Sequence, residues 1–449
     1  MKGLRVFLIM TAACAVSGAA AEEAPLKLSL AEAVERALEV DETFLGAKED
    51  VAEAKASITE AKSALYPKLT LDASATRMIG LPTVLIKANS LGPGFPPEDI
   101  EFSAANEENI TAGLTAVQPL YQGGRDWTAY GAAKSYYSLA DENLRQAEGD
   151  TVYAVAKAYY DAVLADEAVG VANTGVAVAS SHVQATEDRY DAGLVSEYDV
   201  LRARVELTNL ETAQRRAEDA RSASLRYLLT LLNMPPDSEV ALTDRLAYDL
   251  EVYDLGDSLA AAEDKRPELA QLELARQLAE DNVKIARAGD NPSLFFTASY
   301  SDYANAFSLD FADQWRHQGM LNLALSWPIF DGFATRSGVS KARSELYKTE
   351  LNKARLAEGV DMEVRVAFDA VKTAEATVRS QKENVNLAER GLEIAQARYE
   401  AGLMSNLEVL DAQAALTQAR LGYYDSLHGY ALAKLNMRRA RGELTELQL

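Results

Sequence analysis

Apolar positions along this chain follow two rhythms, and the rhythms change in the same order twice. Ser29-Leu30-Ala31-Glu32 is a capping-box pattern that opens a helix, and helical periodicity then runs to Tyr66, where Pro67 stops it. Strict alternation follows: Leu69, Leu71, Ala73 and Ala75 against Lys68, Thr70, Asp72 and Ser74. A period of two predicts a strand with one apolar and one polar face. A second strand is predicted near Ile110–Tyr121. From Asp126 to Tyr190 there is no proline and the helical period returns, predicting a helix of roughly 100 Å at 1.5 Å per residue. Gly193 marks a turn, and a shorter helix runs back from about Ser196 to Leu232.

The second half repeats this order. Pro267 suits the first position of a helix, where its missing N–H costs nothing, and that helix ends near Ala288. Strands are predicted at Ser293–Tyr303 and around Leu321, Leu323, Leu325 and Trp327, which alternate with Asn322, Ala324 and Ser326. A proline-free stretch, Thr335–Tyr399, predicts the second long helix, and Gly402 the turn into a return helix from about Ser405 to Arg441. In that return helix Leu407, Leu410, Ala414, Thr417, Leu421, Tyr424, His428, Ala431 and Leu435 step by three and four, predicting a coiled-coil seam.

The rhythm repeats because the sequence does. RYDAGLVSEYDVLRARVEL from Arg189 answers RYEAGLMSNLEVLDAQAAL from Arg398, 209 positions on. Gln118-Pro119-Leu120-Tyr121-Gln122-Gly123 answers Trp327-Pro328-Ile329-Phe330-Asp331-Gly332 at the same offset. Upstream, Tyr66-Pro67-Lys68-Leu69 aligns with Asn291-Pro292-Ser293-Leu294 at an offset of 225, so the first half holds a 16-residue insertion in its Pro- and Gly-rich Met78–Phe102 loop. The expected organisation is a leader (1–21), a first repeat (22–240) with a β-hairpin at about 68–121 and a helical hairpin at 126–232, and a second repeat (241–449) with a β-hairpin at about 293–330 and a helical hairpin at 335–441. In each half a shorter upstream helix and the return helix, stacked end to end, match the long helix in length.

The first residues read as an address. Lys2 and Arg5, the apolar run Val6–Val16 and Ala19-Ala20-Ala21 form a secretory signal, with cleavage after Ala21 preferred to acylation of Cys14. Cys14 is the only cysteine, so an exported chain cut there has no disulfide or thiolate metal site. The formal charge of −23 argues against nucleic acid, since phosphate binding needs a basic surface. After the signal no stretch is read as a membrane helix of about 20 apolar residues, so membrane crossing would have to use strands. Trp127, Trp315 and Trp327 lie in or beside the strands with Tyr121, Tyr300, Tyr303, Phe307, Phe311 and Phe330, as an interfacial aromatic girdle requires.

Four strands leave two open edges, and unpaired backbone groups in lipid cost several kcal/mol each. Copies must close the sheet. Eight strands leave an interior filled by side chains, whereas twelve, from three copies, leave a conduit if the inward faces carry small polar residues such as Asp72, Ser74, Asn322 and Ser326.

The duplicated RY.AGL.S motif, QPLYQGG with WPIFDG, RPEL and LLNMPPD together resemble outer-membrane efflux proteins of the TolC family over the whole chain beyond the signal. The resemblance implies a mainly α protein with a small β part: long coiled-coil hairpins plus four strands per protomer, three protomers forming a 12-stranded β-barrel continuous with an α-helical barrel. It implies a passive exit duct in the outer membrane of a Gram-negative bacterium that reaches across the periplasm. It also implies a periplasmic adaptor and an inner-membrane pump of RND or ABC type as partners. The repeated motif is then the periplasmic tip of each helical hairpin. Asp199, Glu408 and Asp411 are candidate gate carboxylates, six from Glu408 and Asp411 alone in a trimer, favouring cations. Acids at a helix start also suit the macrodipole, and that plainer role stays open. The resemblance further places Asp191 and Tyr399 at latch positions, and Gly193, Leu194, Val195, Gly402, Leu403 and Met404 at adaptor-docking positions. A basic residue that completes one latch in the family is replaced here by Met404, so a looser or differently latched tip is expected.

No catalytic constellation is found: His182, His317 and His428 are scattered without metal-ligand spacing, and no nucleophile elbow or phosphate-binding loop occurs. No cofactor is expected. The alternative to a duct is a soluble periplasmic coiled-coil scaffold, which would not need apolar-faced strands.

Overall fold

Ser29 opens the first helix as its sequence dictates. Its hydroxyl accepts from the Glu32 N–H at 3.3 Å, and the Glu32 carboxylate accepts from the Ser29 N–H at 2.8 Å. The computed structural model describes residues 26–88, 92, 98–103, 105–305 and 315–445. The signal segment with Cys14, and Phe307 and Phe311 of the girdle, lie outside the described residues.

The helices are α1 (Leu30–Val40), α2 (Glu42–Ser63), α3 (Arg125–Asp191), α4 (Glu197–Leu231), α5 (Leu255–Lys265), α6 (Pro267–Arg287), α7 (Ala334–Glu400) and α8 (Asn406–Arg441). The strands are β1 (Leu26–Leu28), β2 (Lys68–Arg77), β3 (Thr83–Ile86), β4 (Ile100–Ser103), β5 (Glu108–Gln122), β6 (Val240–Leu242), β7 (Ser293–Ala304) and β8 (Arg316–Ser326). The single helix expected from Ser29 to Tyr66 is two. Asp41 ends α1 in an extended conformation, and its carboxylate caps α2 by accepting from the Phe44 N–H at 2.7 Å. Arg266 makes the same break between α5 and α6, 225 positions later. The helix α5 has no counterpart in the expectations above.

The long helices α3 and α7 contain 67 residues each. Each half places a long helix beside a stack of shorter ones: α3 beside α2 and α4, and α7 beside α6 and α8. α3 also packs on α6 and α8, which joins the halves. Side by side the order is therefore α2 over α4, then α3, then α6 over α8, then α7. Alanine dominates the contact faces, as at Ala156, Ala158 and Ala162 of α3, because small side chains let axes approach. This composition also corrects the membrane-helix expectation: α3 contains an 18-residue window of mean hydropathy 1.3, enough by length and composition to cross a membrane. Among the described residues it is a single case, and α3 packs along its length against other helices.

The main core lies midway along the helices, where α1, α5 and the parallel pair β1–β6 wrap the bundle. Tyr159 is fully buried there and donates to the Leu28 carbonyl at 2.9 Å and to Asp244 Oδ2 at 3.0 Å. Burial pushes the Tyr159 hydroxyl up to about 12, so it serves as a donor at any physiological pH. Arg266, also buried, donates to Glu363 of α7 at 2.6 Å and to Glu268 at 3.0 Å, pinning the α5–α6 break onto α7.

The predicted stripe of α8 is covered in part: Leu410 and Leu435 are buried, Thr417, Tyr424, His428 and Ala431 half-buried, and Leu407, Ala414 and Leu421 exposed. A second buried line runs through Val409, Gln413, Leu416, Leu427, Tyr430 and Met437. α8 packs on both α7 and α3, so two stripes are covered, and Gln413 and Ser426 interrupt the apolar signal of the second.

β2, β5, β7 and β8 form one antiparallel sheet in that order. The two predicted β-hairpins are thus joined through β5–β7. The inserted loop adds the separate pair β3–β4, which periodicity did not reveal.

Candidate functional site: the strand faces and the helical tips

The register sorts the sheet into two faces. Leu69, Ala116, Ala298 and Leu321 lie in one cross-strand row, and Leu71, Leu114, Tyr300 and Gly319 in the next on the same face. On the other face Thr70, Thr115, Ser299 and Met320 form one row, and Asp72, Gly113, Ser301 and Gln318 another. In these two rows the apolar face crosses all four strands and is solvent-exposed in the single chain, with Leu321 at 77%; the next row on it is Ala73, Ala112, Asp302 and His317. The outer strands β2 and β8 are exposed along their whole length, which leaves both edges unpaired within the chain. Trp327 and Phe330 stand exposed just beyond β8, and Tyr121 within β5 near its end. Trp127 is exposed in the first turn of α3.

At the far end of the bundle both hairpins turn identically. Leu194 N–H donates to the Arg189 carbonyl and Gly193 N–H to the Tyr190 carbonyl, each at 2.8 Å. Leu403 N–H donates to Arg398 at 2.9 Å and Gly402 N–H to Tyr399 at 3.0 Å. This is a Schellman close with glycine in the left-handed region, at φ 70° and 71°. Gly193→Ala and Gly402→Ala are each expected to cost about 1–2 kcal/mol from the left-handed backbone alone, since open space surrounds both. Hydrogen exchange of the tip amides should quicken in both variants while the core stays protected.

The return helices restart with capping boxes. Asp199 accepts from the Ser196 N–H at 3.1 Å and hydroxyl at 2.7 Å, and Glu408 from the Ser405 N–H at 2.9 Å and hydroxyl at 3.1 Å. Two of the three candidate gate acids thus hold helix starts. Asp411 is exposed one turn after Glu408. Capping does not remove the carboxylate from the tip, so both capping acids stay at the turns.

The two candidate latch residues part company. Asp191 is exposed at the end of α3. Tyr399 is buried, with its ring beneath the Arg189 guanidinium at 4.8 Å and beside His182 at 5.5 Å. Among the described residues no hydrogen bond joins them, and none reaches the Tyr399 hydroxyl. Of the candidate docking residues, Leu194 (67%) and Leu403 (79%) protrude, whereas Met404 packs against Leu392, Ala395, Tyr399, Val409 and Leu416.

Sequence reasoning missed the polar contacts between the hairpins. His182 Nε2 lies 2.6 Å from Asn406 Oδ1, both residues buried, and Asn406 Nδ2 donates to the Asp199 carbonyl at 3.0 Å. The amide nitrogen is used on Asp199, so the imidazole donates from Nε2. Arg189 donates to the carbonyls of Tyr399 at 3.1 Å and Glu400 at 3.3 Å, closing the C-terminus of α7. His428 pairs with Asp161 at 2.7 Å, so that histidine ties α8 to α3. Among the described residues no group of His, Cys, Asp and Glu is arranged to hold a metal ion.

Comparison with known proteins accords with this architecture. The family described as "Outer membrane efflux protein" matches residues 33–234 and 259–443. The outer membrane protein TolC of Vibrio cholerae is 22% identical over 421 residues, covering 93% of this chain and 91% of that protein. Protein CyaE of Bordetella pertussis is 28% identical over 344 residues, covering 75% and 71%. The crystal structure of the outer membrane protein VceC from Vibrio cholerae superposes with a TM-score of 0.76 at 21% identity, over 92% of this chain and 96% of that one. The chain belongs to the outer membrane efflux protein family, and it is an outer-membrane exit duct that extends into the periplasm.

Proposed function

We propose that three copies close the sheet into a twelve-stranded barrel, and that the helices below it form a tube ending in six tips. The observation that carries this reading is the sheet itself: one face with apolar rows that cross all four strands, an opposite face with small polar residues on every strand, and two open edges. An apolar exterior meets lipid, a polar interior meets water, and only joining β8 of one copy to β2 of the next satisfies the edges. Family membership sets aside the soluble-scaffold alternative.

The protruding Leu194 and Leu403 supply apolar knobs for a periplasmic adaptor, which couples the duct to an inner-membrane pump of RND or ABC type. With no catalytic constellation in view, transport through this chain is passive and the pump supplies the energy. Glu408 and Asp411 line the narrow end and favour cations. Glu408→Ala with Asp411→Ala is expected to lower cation-over-anion permeability by roughly severalfold in planar bilayers, the field of a charged ring being lost. Unchanged selectivity in a double variant that still inserts and conducts would remove both acids from the gate.

A further inference from the structure

The two faces of the four-stranded sheet differ in how they carry charge as well as in polarity. On the apolar face Arg77, Glu108, Asp302 and His317 gather toward the strand ends farthest from the helices, and Arg77 pairs with Glu107 at 3.2 Å and with Glu108 at 3.8 Å. On the polar face two further rows are Lys68, Val117, Thr297 and Asn322, and Ser74, Thr111, Tyr303 and Arg316. Across β2, β5, β7 and β8 the charged side chains of this face are Lys68, Asp72 and Arg316. All of them are exposed, and among the described residues none makes an ion pair. Two bases to one acid reverses the balance of the whole chain, which has 45 Lys and Arg against 68 Asp and Glu.

Spacing keeps the acid from cancelling the bases. Asp72 lies four residues from Lys68 on β2, about 13 Å at roughly 3.3 Å per residue. It lies three strands from Arg316, about 14 Å at roughly 4.8 Å per strand. Exposed charges more than about 8 Å apart are largely screened from one another at physiological salt. A solute moving along this face therefore meets Lys68, Asp72 and Arg316 as separate charges. β8 holds no acid, so the strand that the next copy brings to β2 adds none opposite Lys68.

This inference rests on the ring of copies proposed above, in which the polar face lines the conduit. Three copies then set a ring of Lys68 where the barrel meets the helices and a ring of Arg316 toward the far mouth, with a ring of Asp72 between them. Rings of lysine or arginine favour anions, and low-dielectric walls strengthen their field. The tip acids Glu408 and Asp411 keep the duct as a whole cation-preferring, and the barrel works against them.

We propose that the barrel is a second charge filter, opposite in sign to the tips, in which Lys68 and Arg316 favour cargo that carries a carboxylate or phosphate group.

Reversal potentials of the purified protein in planar bilayers test this, under gradients of KCl and then of potassium gluconate as a carboxylate probe. Lys68→Gln with Arg316→Gln is expected to raise the permeability of K+ over either anion about two- to threefold, and Asp72→Asn to lower it by a similar factor. Opposite shifts from one face of one sheet separate a charge effect from general damage. Charge can also be changed after folding, because the only native cysteine is Cys14 and the native chain gives the background. In Lys68→Cys a cationic methanethiosulfonate reagent should restore the wild-type ratio, and an anionic one should raise it further. Ratios that stay unchanged in conducting channels, or that move the other way, would overturn the proposal. Labelling of neighbours on opposite faces tells that failure from failure of the barrel: Asp72→Cys should react with the charged reagent, and Leu71→Cys, facing lipid, should not. Reaction at Leu71→Cys alone would overturn the barrel reading and this inference with it. The expected labelling with unchanged ratios would overturn this inference and leave the barrel intact.

Discussion

Leu321→Arg is expected to keep the protein out of the membrane fraction. Leu321 sits at the middle of β8, 77% exposed, in the apolar row with Leu69, Ala116 and Ala298. An arginine on the lipid face at the bilayer midplane costs about 2–4 kcal/mol per site. Every copy in the barrel carries that cost, and the sites act together because the barrel closes only when all strands insert. The readout is retention in the membrane pellet after an alkaline wash, together with heat-stable oligomers on gels. Asn322→Arg, one residue on and on the opposite face, is the control: it should insert normally and raise anion permeability, because its charge points into the water-filled side. Equal retention of Leu321→Arg and wild type would show that the apolar face does not meet lipid.

Arg266→Ala should produce the largest loss of folding stability, about 3 kcal/mol. The guanidinium is buried and bound to Glu268 and Glu363 at once, and removing it leaves two acids facing each other where α5, α6 and α7 meet. Glu363 is about half exposed, which holds the cost at the lower end of that for breaking buried pairs. The acid side of the stability profile gives a second signature. Burial pushes the Glu268 carboxyl up, but the hydrogen bonds and charge of Arg266 outweigh it and hold the carboxyl below its usual range. A depressed carboxylate stabilises the fold above its unfolded value and loses that contribution as pH falls through the folded one. Wild type should therefore lose stability as pH drops below the ordinary carboxylate range, and the Glu268 part of that slope should vanish in Arg266→Ala. Urea unfolding at neutral pH and at successive acid pH values measures both effects. A variant as stable as wild type would mean that the break between α5 and α6 is held by packing alone.

Much of this architecture was legible because the sequence states it twice. The 67-residue helices, the tip glycines and the four strands recur at fixed offsets, and the alternation at Lys68–Ala75 and Leu321–Trp327 fixed the side of each strand before any pairing was known. What escaped depends on tertiary contact. β1 and β6 pair residues more than 200 positions apart through three-residue strands too short to show a period. The break at Asp41 interrupts a good helical pattern with one extended residue and no glycine, and α5, ahead of the helix start marked by Pro267, went unread. In α8 periodicity found the buried Leu410 and Leu435 but not the second buried line from Val409 to Met437, because Gln413 and Ser426 interrupt its apolar signal. The His182–Asn406 pair was hidden for a different reason. A histidine in a long helix and an asparagine at a helix start read as ordinary surface, and only their mismatch with Gly391 and Glu197 in the other repeat marks them.

The duct itself is tested most directly by single-channel recording of the purified protein in planar lipid bilayers. Discrete, ohmic conductance steps with cation preference are the predicted result. Protein that inserts, resists an alkaline wash and withstands Glu408→Ala with Asp411→Ala, yet shows no step in either form, would contradict a water-filled conduit through the sheet and the helices below it.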